Sequence, residues 1–103
     1  MTTFDDRESA FETKFAHDAA MVFKAEVRAD RKLALWAAGK LGKSAPETES
    51  YTAEVIRADM QEAGAEDVIR KVAADLAGIA EAEEIRALYA RYLSEAKAEL
   101  ADA

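Results

Sequence analysis

The scarcity of turn-forming residues constrains the fold of this chain more than any other feature. Its 103 residues include one Pro and four Gly, and residues 5–38 contain neither. Apolar residues recur in this stretch at intervals of four and seven, the spacing of one helix face. About a quarter of the chain is Ala, the strongest helix former. The sequence therefore predicts an all-α fold with few and short connections.

The Gly residues divide the chain into four predicted helices. We expect Gly39 and Gly42 to end the first helix, Gly64 the second and Gly78 the third. The physical reason is that Gly is the preferred residue just beyond a helix C-terminus. The fourth helix then runs toward the end of the chain.

The segment Ser44-Ala45-Pro46-Glu47 is typical of the start of a helix. The Ser44 hydroxyl can accept a hydrogen bond from the backbone of Glu47, whose side chain can bond back to Ser44. Pro46 suits the first turn, where its missing N–H has no partner to lose. We therefore expect the second helix to begin here.

The inner faces of the four helices are predicted to form one core. In the first two helices the inward-facing residues are Phe23, Val27, Leu33, Ala34, Trp36, Ala37, Leu41, Tyr51, Val55, Ala58 and Met60. In the last two they are Val68, Ile69, Val72, Ala73, Leu76, Ile85, Leu88, Tyr89, Tyr92, Leu93, Ala96 and Leu100. These apolar stripes predict a four-helix bundle.

Composition restricts the compartment and the kinds of site. The chain has no Cys, which excludes disulfides and thiolate metal sites and fits a reducing cytosol. Its N-terminus is acidic and lacks the apolar segment of a secretory signal. No apolar run approaches the roughly 20 residues of a membrane span. We expect a cytoplasmic protein without direct membrane insertion.

Charge is unevenly distributed along the chain, whose net charge is −7. Residues 1–18 carry −3, residues 19–46 carry +4 and residues 47–103 carry −8. The overall sign argues against nucleic acid as a partner. The basic residues of the central region are Lys24, Arg28, Arg31, Lys32, Lys40 and Lys43. They could neutralise acidic helices of the same bundle, which we favour, or bind an acidic surface.

Residues that commonly carry out catalysis are scarce. The only His is His17 and there is no Cys, so nucleophile–base pairs and di-iron carboxylate sites lack essential groups. The segment Gly42-Lys43-Ser44 matches the end of a phosphate-binding loop. However, the position of the required earlier Gly holds Ala37, and a helix rather than a strand is predicted before it. We expect no catalytic residue, no metal and no enzymatic activity.

Residues 1–18 are predicted to form an amphipathic arm ahead of a bundle of residues 19–103. Phe4, Phe11 and Phe15 share one side of a helix, and most charged side chains fall on the other. The rings could pack on the bundle. Because the rest of the chain already supplies four apolar stripes, the alternative is that the arm binds as a helix in a partner's groove. Such an arm could be partly disordered until it binds.

Two segments carry a strong resemblance to a known family. They are Phe4-Asp5-Asp6-Arg7-Glu8 through Lys14-Phe15-Ala16-His17-Asp18, and Leu35-Trp36-Ala37-Ala38-Gly39-Lys40-Leu41-Gly42. These segments resemble the zeta subunit family of alphaproteobacterial F-type ATP synthases, and the similarity extends over nearly the whole chain. The resemblance implies a four-helix fold and an inhibitory N-terminus.

The resemblance also implies a mode of inhibition. The arm would insert into a catalytic alpha/beta interface of the ATPase head, near the gamma subunit, and would block ATP hydrolysis more than synthesis. The inhibitory residues carried over are Phe4, Asp5, Asp6, Arg7, Glu8, Phe11, Lys14 and Phe15. The rings would be buried anchors, and the charges would set the register. Ser9 and Thr13 depart from the family pattern, which puts inhibitory strength in question.

The resemblance further implies a monomer when free, held peripheral to the inner membrane through the ATP synthase. Two other hypotheses stay open. The basic central region could make the bundle a small-ligand module that binds adenine nucleotide weakly, or the bundle could be an adaptor for another protein. His17 is interpreted as a structural or surface residue. A pH-tuning role in the arm is the alternative, because imidazole changes charge near neutral pH.

Overall fold

The structure, a computed structural model, describes residues 19–61 and 65–102. This part of the chain forms four α-helices: α1 (Ala19–Leu41), α2 (Ala45–Gln61), α3 (Ala65–Asp75) and α4 (Ala82–Asp102). It contains no strand. The predicted all-α fold with four helices is confirmed. The predicted arm, residues 1–18, and the predicted terminator Gly64 lie outside the described residues.

The end of α1 follows from Gly42. Its φ of 69° lies in the left-handed region, which a residue without a Cβ adopts at little cost. The backbone N–H of Gly42 donates to Gly39 O at 3.2 Å, and that of Lys43 donates to Ala38 O at 3.1 Å. This pair of bonds is a Schellman motif, which satisfies carbonyls that the helix end would leave without partners.

The start of α2 has the predicted capping box. The Glu47 N–H donates to Ser44 Oγ at 3.3 Å, and the Ser44 N–H donates to Glu47 Oε1 at 2.9 Å. These hydrogen bonds lower the pKa of the Glu47 carboxyl, because they favour its charged form. The local sequence therefore determines both the end of α1 and the start of α2.

The helices pack in chain order, and α4 returns to α1. Helix α1 packs most extensively on α4 and α2, while α3 packs on α2 and α4. Arg28 of α1 pairs with Glu99 of α4, and Lys32, one turn later on α1, pairs with Glu95, one turn earlier on α4. These two helices are therefore antiparallel. None of the described helices is both long and apolar enough to cross a bilayer.

One core joins all four helices. Its larger buried side chains are Leu33, Tyr51, Val55, Val68, Ile69, Val72, Leu76, Ile85 and Tyr89. All nine were predicted to face inward. On α4 every predicted position is buried or half-buried. Helix α3 has only 11 residues, yet it buries Val68, Ile69 and Val72, and Leu76 follows directly after it.

The predicted inner face of α1 is wrong in its first half. Phe23 is 49% exposed, whereas the smaller Ala25 and Ala29 are completely buried. Ala25 packs against Ala96 of α4, in a small cluster that includes Leu93 and Leu100. Small side chains at this contact let the two helices approach closely. The core face therefore follows alanines that a hydrophobicity pattern ranks below Phe23.

Candidate functional site

The residues predicted to act on a partner all lie in the arm. Phe4, Asp5, Asp6, Arg7, Glu8, Phe11, Lys14, Phe15 and His17 fall outside the described residues. What the structure does describe is the bundle that follows them. Helix α1 begins at Ala19, directly after the arm, and runs for 23 residues through the bundle. The arm is thus joined to the helix with the most extensive packing in the described fold.

An open groove with apolar and basic lining lies beside the first half of α1. It is lined by Phe23, Lys24, Val27, Arg28, Arg31 and Leu100. Exposed Phe23 and half-buried Val27 and Leu100 supply its apolar area. The groove thus includes Phe23 and Val27, two apolar residues of α1 that lie outside the buried core.

The basic residues of α1 pair with acidic residues of α4. Arg28 Nη1 lies 3.3 Å from Glu99 Oε1, and Lys32 Nζ lies 2.9 Å from Glu99 Oε2 and 3.5 Å from Glu95. Hydrogen bonding by Lys32 holds the pKa of Glu99 below its ordinary value. These contacts support the interpretation that the central basic region neutralises acidic helices of its own bundle.

The six central basic residues do not converge on one site. Lys40 Nζ lies 5.9 Å from the centroid of the Trp36 ring, and Lys43 Nζ lies 5.3 Å from that of Tyr51, which are cation–π distances. Lys24 and Lys40 are separated by about 24 Å along α1 at 1.5 Å per residue. A nucleotide site that uses all six residues therefore has no geometric support.

A polar network joins α2 to α3. The Tyr51 hydroxyl donates to Asp75 Oδ2 at 2.9 Å, and Lys71 Nζ lies 3.1 Å from the same oxygen. Burial, followed by the hydrogen bond to Asp75, raises the pKa of Tyr51. Since the hydroxyl stays neutral and donates, the network has the character of a structural tie rather than a reactive site.

Asp30 is a buried carboxyl group that the sequence analysis missed. Its relative exposure is 0%, and neither carboxyl oxygen has a hydrogen-bond partner among the described residues. Burial and the neighbouring Asp59 raise the pKa of Asp30 to about 9. A signal was present, because Asp30 lies three and four residues before Leu33 and Ala34, on the core face of α1.

Two neighbouring groups, Glu26 and Tyr89, also have raised pKa values. Burial raises the pKa of Glu26, and Asp59 raises it further, whereas Lys97 acts against both. The pKa of the Tyr89 hydroxyl is raised by burial and by the Asp30 carboxyl.

In residues 19–61 and 65–102, no cluster of three or more acidic or His side chains has the geometry to hold a metal ion.

Comparison with known proteins assigns the chain to a family. No curated protein matches the chain. A protein structure solved by solution NMR is 50% identical in sequence, and the match covers 80% of this chain and 96% of that one with a TM-score of 0.70. A family model described as ATPase inhibitor subunit zeta matches residues 1–99. The match spans almost the entire length, and the chain therefore belongs to the ATPase inhibitor subunit zeta family.

Proposed function

We propose that this protein inhibits ATP hydrolysis by an F-type ATP synthase through residues 1–18, which insert as a helix into a catalytic alpha/beta interface. The observation that carries the proposal is the family match over residues 1–99, which includes the arm as well as the bundle. The three Phe rings of the arm supply apolar anchors at helical spacing. The function proposed is regulatory and needs no catalytic group in this chain.

The bundle serves as the platform of the arm in this proposal. Its helices share one core, so the described part of the bundle, residues 19–61 and 65–102, can act as a rigid body that limits how far the arm enters. The acidic and basic residues of the arm set its register on charged surfaces of the alpha, beta and gamma subunits. The protein then lies on the cytoplasmic side, peripheral to the membrane, for as long as it is bound to the ATP synthase.

The proposal is tested by ATP hydrolysis of the cognate ATPase head with added protein. The full chain is expected to inhibit, and a chain lacking residues 1–18 is expected not to. Circular dichroism of the shortened chain checks that its helices are retained. Inhibition by the shortened chain at the potency of the full chain would place the activity in the bundle and contradict the proposal.

Single ring deletions test the anchor role within the full chain. Phe11→Ala and Phe15→Ala are each expected to weaken binding by roughly 1–3 kcal/mol, the scale of buried interface anchors. Phe23→Ala is a matched control, because Phe23 is 49% exposed and lies on α1 outside the arm. Inhibition constants from titrations of ATPase activity give the comparison. Equal loss of potency in all three variants would contradict a special role of the arm.

A further inference from the structure

The described bundle has one buried acidic side chain, and it lies in the middle of α1. Asp30 is completely buried, and neither Oδ1 nor Oδ2 meets a hydrogen-bond donor among the described residues. An ionised carboxylate without partners is strongly disfavoured in an apolar interior. The buried site therefore favours the neutral, protonated form of this side chain.

The groups facing Asp30 come from three helices, and those nearest are acidic or neutral. Helix α1 contributes Glu26, one turn before Asp30, helix α2 contributes Asp59, and helix α4 contributes Tyr89. Lys97 of α4 acts on Glu26. Asp30 itself forms no ion pair within the described residues. A negative charge on Asp30 would therefore repel the carboxylates of Asp59 and Glu26.

A proton explains how the buried site can be satisfied. Asp59 of α2 and the Tyr89 hydroxyl of α4 are the polar neighbours that act on Asp30. An ionised carboxylate has no hydrogen to donate, so two facing carboxylates can only repel each other. Protonation of Asp30 removes this repulsion and leaves no unpartnered charge in the core.

We propose that Asp30 is a proton-binding site whose protonated form allows α1 to pack against α2 and α4, and that release of this proton in alkaline solution loosens the packing of α1. The inference does not depend on ATPase inhibition. Because α1 begins directly after residues 1–18, the same loosening would alter the helix to which the arm is attached.

The direction of the pH effect follows from proton linkage. The pKa of Asp30 is about 9 in the folded protein, against about 3.9 for an unperturbed Asp. Between these values the folded state binds the proton and the unfolded state does not. Each rise of one pH unit in this range therefore lowers the folding equilibrium constant by up to tenfold, and the effect levels off above the folded pKa.

Asp30→Asn removes the titration and keeps the shape of the protonated side chain. Urea unfolding between pH 5 and pH 10 gives the folding equilibrium constants of this variant and of the unmodified protein. The ratio of the variant's constant to that of the unmodified protein is expected to rise by up to tenfold per pH unit. Glu49→Gln is the control, because Glu49 is exposed and forms no ion pair among the described residues. A ratio independent of pH for Asp30→Asn would overturn the proposal.

Trp36 provides a readout of the packing of α1. It is the only Trp of the chain, and it packs half-buried against the core from α1. Its fluorescence is expected to change as pH rises through about 9 in the unmodified protein and not in Asp30→Asn. Identical titration curves in the two proteins would show that another group controls the change and would refute the switch.

Carbon-13 NMR of the side-chain carboxyls tests the site in the unmodified protein, even if Asp30→Asn does not fold. The Asp30 carboxyl is expected to titrate in the alkaline range. In Asp59→Asn its midpoint is expected to move to lower pH, because the neighbouring negative charge is gone. An Asp30 midpoint near that of an ordinary Asp would overturn the proposal whatever the unfolding data give.

Discussion

Individual polar residues in this bundle are tied by short contacts between helices. The Tyr51 hydroxyl bridges from α2 to Asp75 of α3, and Lys71 reaches the same carboxyl group while lying 5.3 Å from the Tyr51 ring. Because Tyr51 is only 4% exposed, water can replace these partners poorly. The Tyr51 hydroxyl therefore contributes more to the stability of the fold than the hydroxyl of a surface tyrosine would.

Removal of this hydroxyl is expected to destabilise the protein measurably. Tyr51→Phe should lower the free energy of unfolding by about 0.5–1.5 kcal/mol, the net value of a typical hydrogen bond. Tyr92→Phe is the matched control, since Tyr92 is half-buried and its hydroxyl has no partner among the described residues. Urea unfolding at pH 7 measures both. An equal effect of the two substitutions would assign the loss to something other than the Asp75 bond.

At the scale of one element, the ends of the helices are determined by local hydrogen bonds. Gly42 closes α1 through its left-handed conformation, and Ser44 opens α2 two residues later. Gly78, with a φ of 82°, provides the same left-handed conformation after α3. These connections are short because each uses one or two residues whose chemistry suits a helix end.

The Ser44 cap is expected to contribute to stability in a pH-dependent way. Ser44→Ala should lower the free energy of unfolding by about 1 kcal/mol at neutral pH, the usual cost of removing an N-cap. The pKa of Glu47 is lowered in the folded state, so its part of the capping box is present above the ordinary Glu pKa. That part is lost as pH falls through the folded pKa.

Ser94→Ala is the matched control for the cap, because Ser94 is exposed within α4. Ala has the higher helix propensity, so this substitution should leave stability unchanged or slightly raised. Unfolding of both variants at pH 7 and at pH 3 gives the comparison. A loss for Ser94→Ala as large as for Ser44→Ala would argue against the capping contribution.

For the whole molecule, opposite charges lie on facing helices. The central region carries +4 within a chain of net charge −7, and its bases Arg28 and Lys32 meet Glu95 and Glu99 of α4. The antiparallel arrangement of α1 and α4 brings these residues together although they are about 70 positions apart in sequence. The pairs are largely exposed, so each contributes little.

Lys32→Gln is therefore expected to lower the free energy of unfolding by less than about 1 kcal/mol at low ionic strength. The loss should shrink in 1 M salt, because exposed charges are screened. Lys24→Gln is the control, since Lys24 forms no ion pair among the described residues. A loss that is unaffected by salt would indicate that Lys32 acts through packing of its aliphatic stem instead.

The sequence alone determined the four helices and the junction between α1 and α2, and only the tertiary structure decided which residues of α1 are buried. The 3.6-residue period, the glycines and the Ser44 cap act within a few residues of each other, so they can be read locally. Burial on α1 depends on what a distant helix places opposite each position. Ala25 is buried because it packs against Ala96 of α4, whereas Phe23 of the same helix is exposed.

The environment of Asp30 has the same origin. Its acidic type could be read from the sequence, but its pKa depends first on burial and then on Asp59 and Tyr89, which α2 and α4 bring to it across the bundle. The family could be identified from local motifs, because the resemblance over residues 4–18 and 35–42 agrees with the match to residues 1–99. Local interactions determine elements, whereas desolvation and charge depend on neighbours that only the packed bundle brings together.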